Sequence, residues 1–237
     1  MKLSQAASQI DATQTRIYPE QLPQRNTLMV AALFLLFAIP GIPAIFIVLL
    51  LLLGPFESPQ LMALVNARYY AAPWPLLLHG ISSVAFFLTV PWQFSPALRQ
   101  QAPRWHRNSG RIVLLSAYVM ALSAIWLHHS LTPDELGMRY VGLLLMSVGI
   151  VLTFSLAFYA VLHGQIAAHR RWMCRAMAIV LAAVTPLFLD VIATFTLGQL
   201  AFFKALLPML LHDYGRLTAI ALNLLVAEYL LRQKAWA

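Results

Sequence analysis

The chain has 237 residues, 61% of them hydrophobic and 10% charged, with a formal net charge of +8. Soluble globular domains are nearer ~45–50% apolar and ~25% charged. A soluble enzyme, a disordered chain and a disulfide-stapled domain are therefore excluded, the last also because Cys174 is the one cysteine.

A multi-pass membrane protein is the class that fits. Crossing ~30 Å of hydrocarbon takes ~20 apolar residues. Six apolar stretches predict six spans, at about 28–53, 73–95, 112–131, 140–163, 176–200 and 214–231. The fold class read from this pattern is all-α, a polytopic transmembrane helical bundle. Residues 1–27 form a polar N-terminal tail, and 28–237 a single transmembrane domain.

The tail carries no secretory h-region, and the first span is too long for a signal peptide. Pro40, Gly41 and Pro43 predict a kink near the middle of that span. In the following connection, Leu61 to Tyr70 reads as a short interfacial helix anchored by Tyr69, Tyr70 and Trp74. The second span carries His79 and ends at Gln93; the third ends at His128 and His129. The fourth runs into His163, the fifth carries Asp190, and the last carries Asn223 and Glu228.

The basic residues sort by side. Lys2, Arg16, Arg25, Arg99, Arg104, Arg107, Arg111, Arg170, Arg171, Arg175, Arg232 and Lys234 fall at one end of the six spans. The positive-inside rule puts that end, and both termini, in the cytoplasm. The basic excess is thus a signature of topology, and no nucleic-acid partner is expected. The expected partners are the lipid bilayer, anionic head groups at the arginine-rich connections, and a partner in a larger membrane complex.

A short internal repeat accompanies this pattern. Trp105-His106-Arg107 with Gly110 and Arg111 follows the second span. His169-Arg170-Arg171-Trp172-Met173 with Arg175 follows the fourth. Two hairpins related by an axis along the membrane normal would give this spacing.

Seven histidines are many for so apolar a chain. His79 and His128 fall at similar depth near one side; His106, His163 and His169 lie at the other. A b-type haem would use two imidazoles on facing helices, with interfacial arginines at its propionates. The residues for that reading are His79, His106, His163 and His169, with Arg107 and Arg175. A copper or zinc site would draw on His79, His128 and Asp190. Adjacent His128 and His129 point ~100° apart on a helix, too far for one ion. Asp190 in mid-span costs ~2.5–3.5 kcal/mol unless paired or protonated, and is expected to face the bundle interior. Paired with His79 it would suit a small proton-coupled transporter or channel. The plainest alternative is an accessory subunit with no ligand, its histidines snorkelling and its arginines setting topology. Gln93 and Asn223 are expected to make inter-helix hydrogen bonds. No P-loop, Gly-x-Ser-x-Gly, His-Glu-x-x-His or Cys-x-x-Cys motif occurs.

His79-Gly80, Pro91-Trp92-Gln93-Phe94, His106-Arg107 with Gly110-Arg111, His169-Arg170-Arg171-Trp172-Met173 with Arg175, and Asn223 with Glu228 form an ordered set. It resembles the bacterial predicted-membrane-protein family known as domain of unknown function 2306, over about residues 70–232. The resemblance implies a multi-pass topology in the bacterial inner membrane. It also implies His79, Gln93, His106, His169, Trp172 and Arg175 as positions of interest, and no defined activity. The leading expectation is a histidine-dependent, cofactor-handling or redox membrane protein that binds haem b.

Overall fold

The computed structural model describes residues 22–54, 69–70, 73–197 and 200–233, with side chains described except at 22–26, 201, 204 and 205. The interfacial helix expected over Leu61–Tyr70 falls largely outside these residues, as does most of the N-terminal tail. Every regular element among the described residues is helical. In chain order they are α1 (Leu22–Leu53), α2 (Pro73–Thr89), a 3₁₀ turn (Pro91–Phe94), α3 (Pro96–Gln101), α4 (Pro103–Leu131), α5 (Met138–Leu162), α6 (Ile166–Leu181), α7 (Thr185–Thr196) and α8 (Ala201–Arg232).

Among the described residues, five helices are long and apolar enough to span a membrane: 27–53, 73–94, 103–131, 138–162 and 206–232. The fifth expected span falls on two helices. α6 and α7 pass the same test only as a pair, bent by 54°. Helix α6 also starts at Ile166, so the His169–Arg175 motif lies on the helix and not before it. His106 and Arg107 likewise sit on α4.

The break has a local cause. Pro186 has no N–H to continue the helix. The backbone N–H groups of Ala182, Ala183 and Val184 close onto Ile179, Val180 and Leu181 as 3₁₀ turns. That leaves the Ala178 carbonyl without its helical donor. Asn223 on α8 supplies one through Nδ2, at 3.0 Å. Thr185 Oγ1 donates to the Leu181 carbonyl at 3.0 Å and lies 2.9 Å from Asn223 Nδ2. Irregular backbone inside a membrane is tolerated where such partners exist. By contrast, Pro40 and Pro43 lie inside one uninterrupted helix.

The two most extensively packed helix pairs are α2 with α4 and α5 with α6, and α4 with α5 joins the hairpins. Helix α1 packs on α2, and α8 packs on α5, α6 and α7. Between them lies a buried core that includes Phe37, Phe86, Val113, Ile150, Phe154 and Met177. Phe37 meets Phe86 edge-on at 5.8 Å, and Phe86 meets Phe154 edge-on at 6.0 Å. Fully buried Ala117 and Ala176 let backbones approach where larger side chains would hold them apart.

Candidate functional site

A chamber of about 300 Å³ lies among α1, α2, α4, α5 and the α6–α7 break. Its wall is apolar and includes Phe37, Phe86, Phe87, Met120, Met146 and Val184. The polar side chains in the lining are His79, Ser83 and Ser147, and no Lys, Arg, Asp or Glu takes part.

His79 is the best-defined of these. Its Nδ1 lies 3.0 Å from the Met120 carbonyl on α4 and 3.3 Å from Ser123 Oγ. A carbonyl only accepts, so Nδ1 carries the proton of the neutral ring. Nε2 then keeps its lone pair, and that nitrogen makes no hydrogen bond among the described residues. Fixing one imidazole nitrogen on a backbone carbonyl sets the tautomer and aims the other nitrogen.

The neighbouring Gly80 allows the close approach of α1. Val48 Cγ2 occupies the place that a Cβ at Gly80 would take. The His79-Gly80 pair is thus one packing unit: the glycine admits α1, and α1 forms part of the chamber wall that His79 also lines.

Ser147 is the second anchor point. It is 2% exposed, and its Oγ has no hydrogen-bond partner among the described residues. The other buried hydroxyls, Ser82, Ser109, Ser116, Ser123 and Thr153, all donate to a carbonyl three or four residues back. Ser83 does the same, to the His79 carbonyl at 2.7 Å. Sequence reasoning missed Ser147, because a serine within a span ordinarily bonds its own helix.

The arginine-rich end holds a different cluster. His169 Nδ1 donates to the Ala157 carbonyl on α5 at 2.8 Å. It repeats in the second hairpin what His79 does in the first. The His106 Nδ1 is buried without a partner among the described residues, and Arg99 and Arg107 are cationic groups whose fields bear on it. Gln93 Nε2 donates to Ser109 Oγ at 2.7 Å, and its Oε1 would stand 3.2 Å from a Cβ at Gly110. Arg175 makes a two-pronged ion pair with Glu228, Nε to Oε1 and Nη2 to Oε2 at 3.2 Å. Its guanidinium also lies 4.7 Å from the centre of the Trp172 ring. The inter-helix roles expected of Gln93 and Asn223 are met.

Three other expected site residues are placed elsewhere. His163 is exposed, donates to the carbonyl of Tyr159 on its own helix, and packs on the Tyr159 ring. His128 lies against the Glu135 carbonyl and stacks on Tyr140, and it is not among the residues of the chamber lining. Asp190 is exposed on α7 and does not face the interior. The tighter 3₁₀ winding at 182–184 shifts the helical phase, so a face projected from α6 does not carry on into α7. His79, His128 and Asp190 are not brought together, and no group of three or more metal-ligating side chains occurs among the described residues. Arg107 is exposed. His129 pairs with the Tyr140 hydroxyl at 2.9 Å, and His212 with Asp213 and Arg139, both at 2.9 Å.

Comparison with known proteins gives one result. The family model described as predicted membrane protein (DUF2306) matches residues 76–231. No curated protein and no solved structure matches the chain. The chain belongs to this family of predicted membrane proteins, and the match takes in His79, Ser147, the broken span and the arginine-rich cluster.

Proposed function

We propose that this DUF2306 family member is a histidine-dependent, ligand-handling membrane protein that works through the chamber at His79. One observation carries the reading: an imidazole in the wall of an apolar chamber whose Nδ1 is fixed on the Met120 carbonyl and whose Nε2 makes no hydrogen bond among the described residues. Ligand sites are typically concave and mostly apolar, with a few placed polar groups and volumes of ~300–1,000 Å³. The chamber stands at the small end of that range.

A haem b held by two imidazoles does not fit the chamber. His79 is the one histidine in its lining. Of the arginines expected at the propionates, Arg107 is exposed and Arg175 is engaged by Glu228. A smaller lipophilic molecule with a hydrogen-bonding head suits the chamber better. Transport is the second reading, favoured by the broken span that borders the chamber at Ala183 and Val184. Discontinuous helices beside a mid-membrane cavity are a recurring feature of transporters.

The remaining parts of the proposal concern setting. The distribution of arginines supports a bacterial inner-membrane protein with both termini in the cytoplasm. The same arginines suit anionic head groups, and the apolar outer face suits a neighbour in a membrane complex.

The experiment is native mass spectrometry of the full chain released from nanodiscs, read alongside its visible spectrum before and after reduction. A small molecule carried by the wild type and absent from His79→Phe supports the reading. Reduced α and β bands would replace it with haem b. Identical, bare masses for both proteins would count against any ligand at His79.

A further inference from the structure

The hydrogen-bonding capacity left over in the chamber specifies what kind of head group it takes. This inference rests on the chamber reading above. His79 Nε2 can only accept, because the ring proton is committed at Nδ1 to the Met120 carbonyl. Ser147 Oγ–H is a donor with no acceptor among the described residues. Ser83 spends its proton on the His79 carbonyl. The demand is thus for one donor and one acceptor. Leaving a buried polar group unsatisfied is unfavourable, so the preferred ligand supplies both.

Charge narrows the choice. Among the described residues, none that is ionisable other than His79 lines the chamber, and a neutral ligand needs no counter-charge there. The body of the ligand must match a wall that presents Phe37, Phe86 and Phe87 together with Met120 and Met146. Aromatic rings and methionine sulfurs pack well on a flat ring.

We infer that the chamber binds a neutral, hydroxyl-bearing aromatic lipophile of the quinol or phenol class, its O–H donated to Nε2 of His79 and an oxygen accepting from Ser147. A hydroxyl is both donor and acceptor, so a head group of this kind supplies what each of the two residues lacks. The ligand reaches the site from the bilayer, where such molecules partition.

The test compares two probes with one apolar body: an alkyl-hydroquinone and its dimethyl ether. The ether keeps the ring and tail and lacks the O–H donors. Binding to the full chain in phosphatidylcholine nanodiscs is measured by calorimetry. The hydroquinone is expected to bind about tenfold more tightly, the size of one good hydrogen bond. Ser147→Ala, which changes one atom at a well-packed site, should weaken both probes by up to about three- to tenfold, since the oxygens of either can accept from the serine, and leave the preference between them in place. His79→Phe should abolish the preference. Equal binding of both probes overturns the head-group inference and leaves the chamber reading standing. A preference that survives His79→Phe, or hydroquinone binding that Ser147→Ala leaves unchanged, also overturns it. Failure of the wild type to bind either probe overturns the chamber reading as well.

Discussion

His79 on α2 donates its Nδ1 proton to the carbonyl of Met120 on α4, 3.0 Å away, across the most extensive helix pair in the molecule. His169 on α6 does the same to the Ala157 carbonyl on α5, at 2.8 Å, across the second hairpin. In each hairpin a histidine is locked by backbone, which holds the ring rigid without a second ionisable side chain. The two differ in surroundings: His79 opens on an apolar chamber, whereas His169 lies among arginines at the bundle end.

Gly80→Ala should destabilise the bundle by about 1–3 kcal/mol, because the new methyl overlaps Val48 Cγ2. Thermal unfolding in detergent reads the loss. Pairing it with Val48→Ala should recover most of the deficit, since the clash is between those two groups. A Gly80→Ala protein with an unchanged midpoint would show that α1 does not press on α2 at this point.

Asn223→Leu should cost about 1–2 kcal/mol, leaving the Ala178 carbonyl and the Thr185 hydroxyl without their shared partner. Leucine keeps the volume, so the change isolates the hydrogen bonds. Spin labels on α6 and α7 should report a wider range of bend angles in the variant. An unaltered distance distribution would mean that Pro186 alone fixes the break.

Glu228→Gln removes one charge from the pair with Arg175. The two side chains are 38% and 26% exposed, so solvent or head groups screen them, and the loss is about 1 kcal/mol or less. Arg175→Lys should not behave as a conservative change, because it forfeits both the two-pronged geometry and the stacking on Trp172. Comparing unfolding midpoints of the two variants separates charge from geometry.

Asp190→Asn should leave ligand affinity at the chamber unchanged, because Asp190 is exposed on α7 and takes no part in the lining. A proteoliposome flux assay addresses the rival reading. Loss of pH-dependent flux on this substitution, together with normal ligand affinity, would favour transport.

The spans were legible in the sequence because each is a long apolar run with charges at its ends, and that requirement is local. The broken span was not. Pro186 was in view, but so were Pro40 and Pro43, which sit inside a continuous helix. What distinguishes them is tertiary: Asn223, on another helix, pairs with the Ala178 carbonyl that the break releases. His79 drew attention through its depth, whereas its partner could not, since a backbone carbonyl leaves no trace in residue identity. Asp190 was expected inward by an energetic rule that assumes an unbroken helical phase. Ser147 gave no signal, and only its missing back-bond makes it distinctive.

The most direct test is the nitrogen-15 spectrum of histidine-labelled protein in nanodiscs, with His79 assigned by comparison with His79→Phe. His79 should show a protonated Nδ1 and an unprotonated Nε2, and titration with the alkyl-hydroquinone should shift Nε2 while leaving Nδ1 in place. A His79 ring protonated at Nε2, or an Nε2 signal unmoved when the hydroquinone is bound, would contradict the assignment of this chamber as the working site.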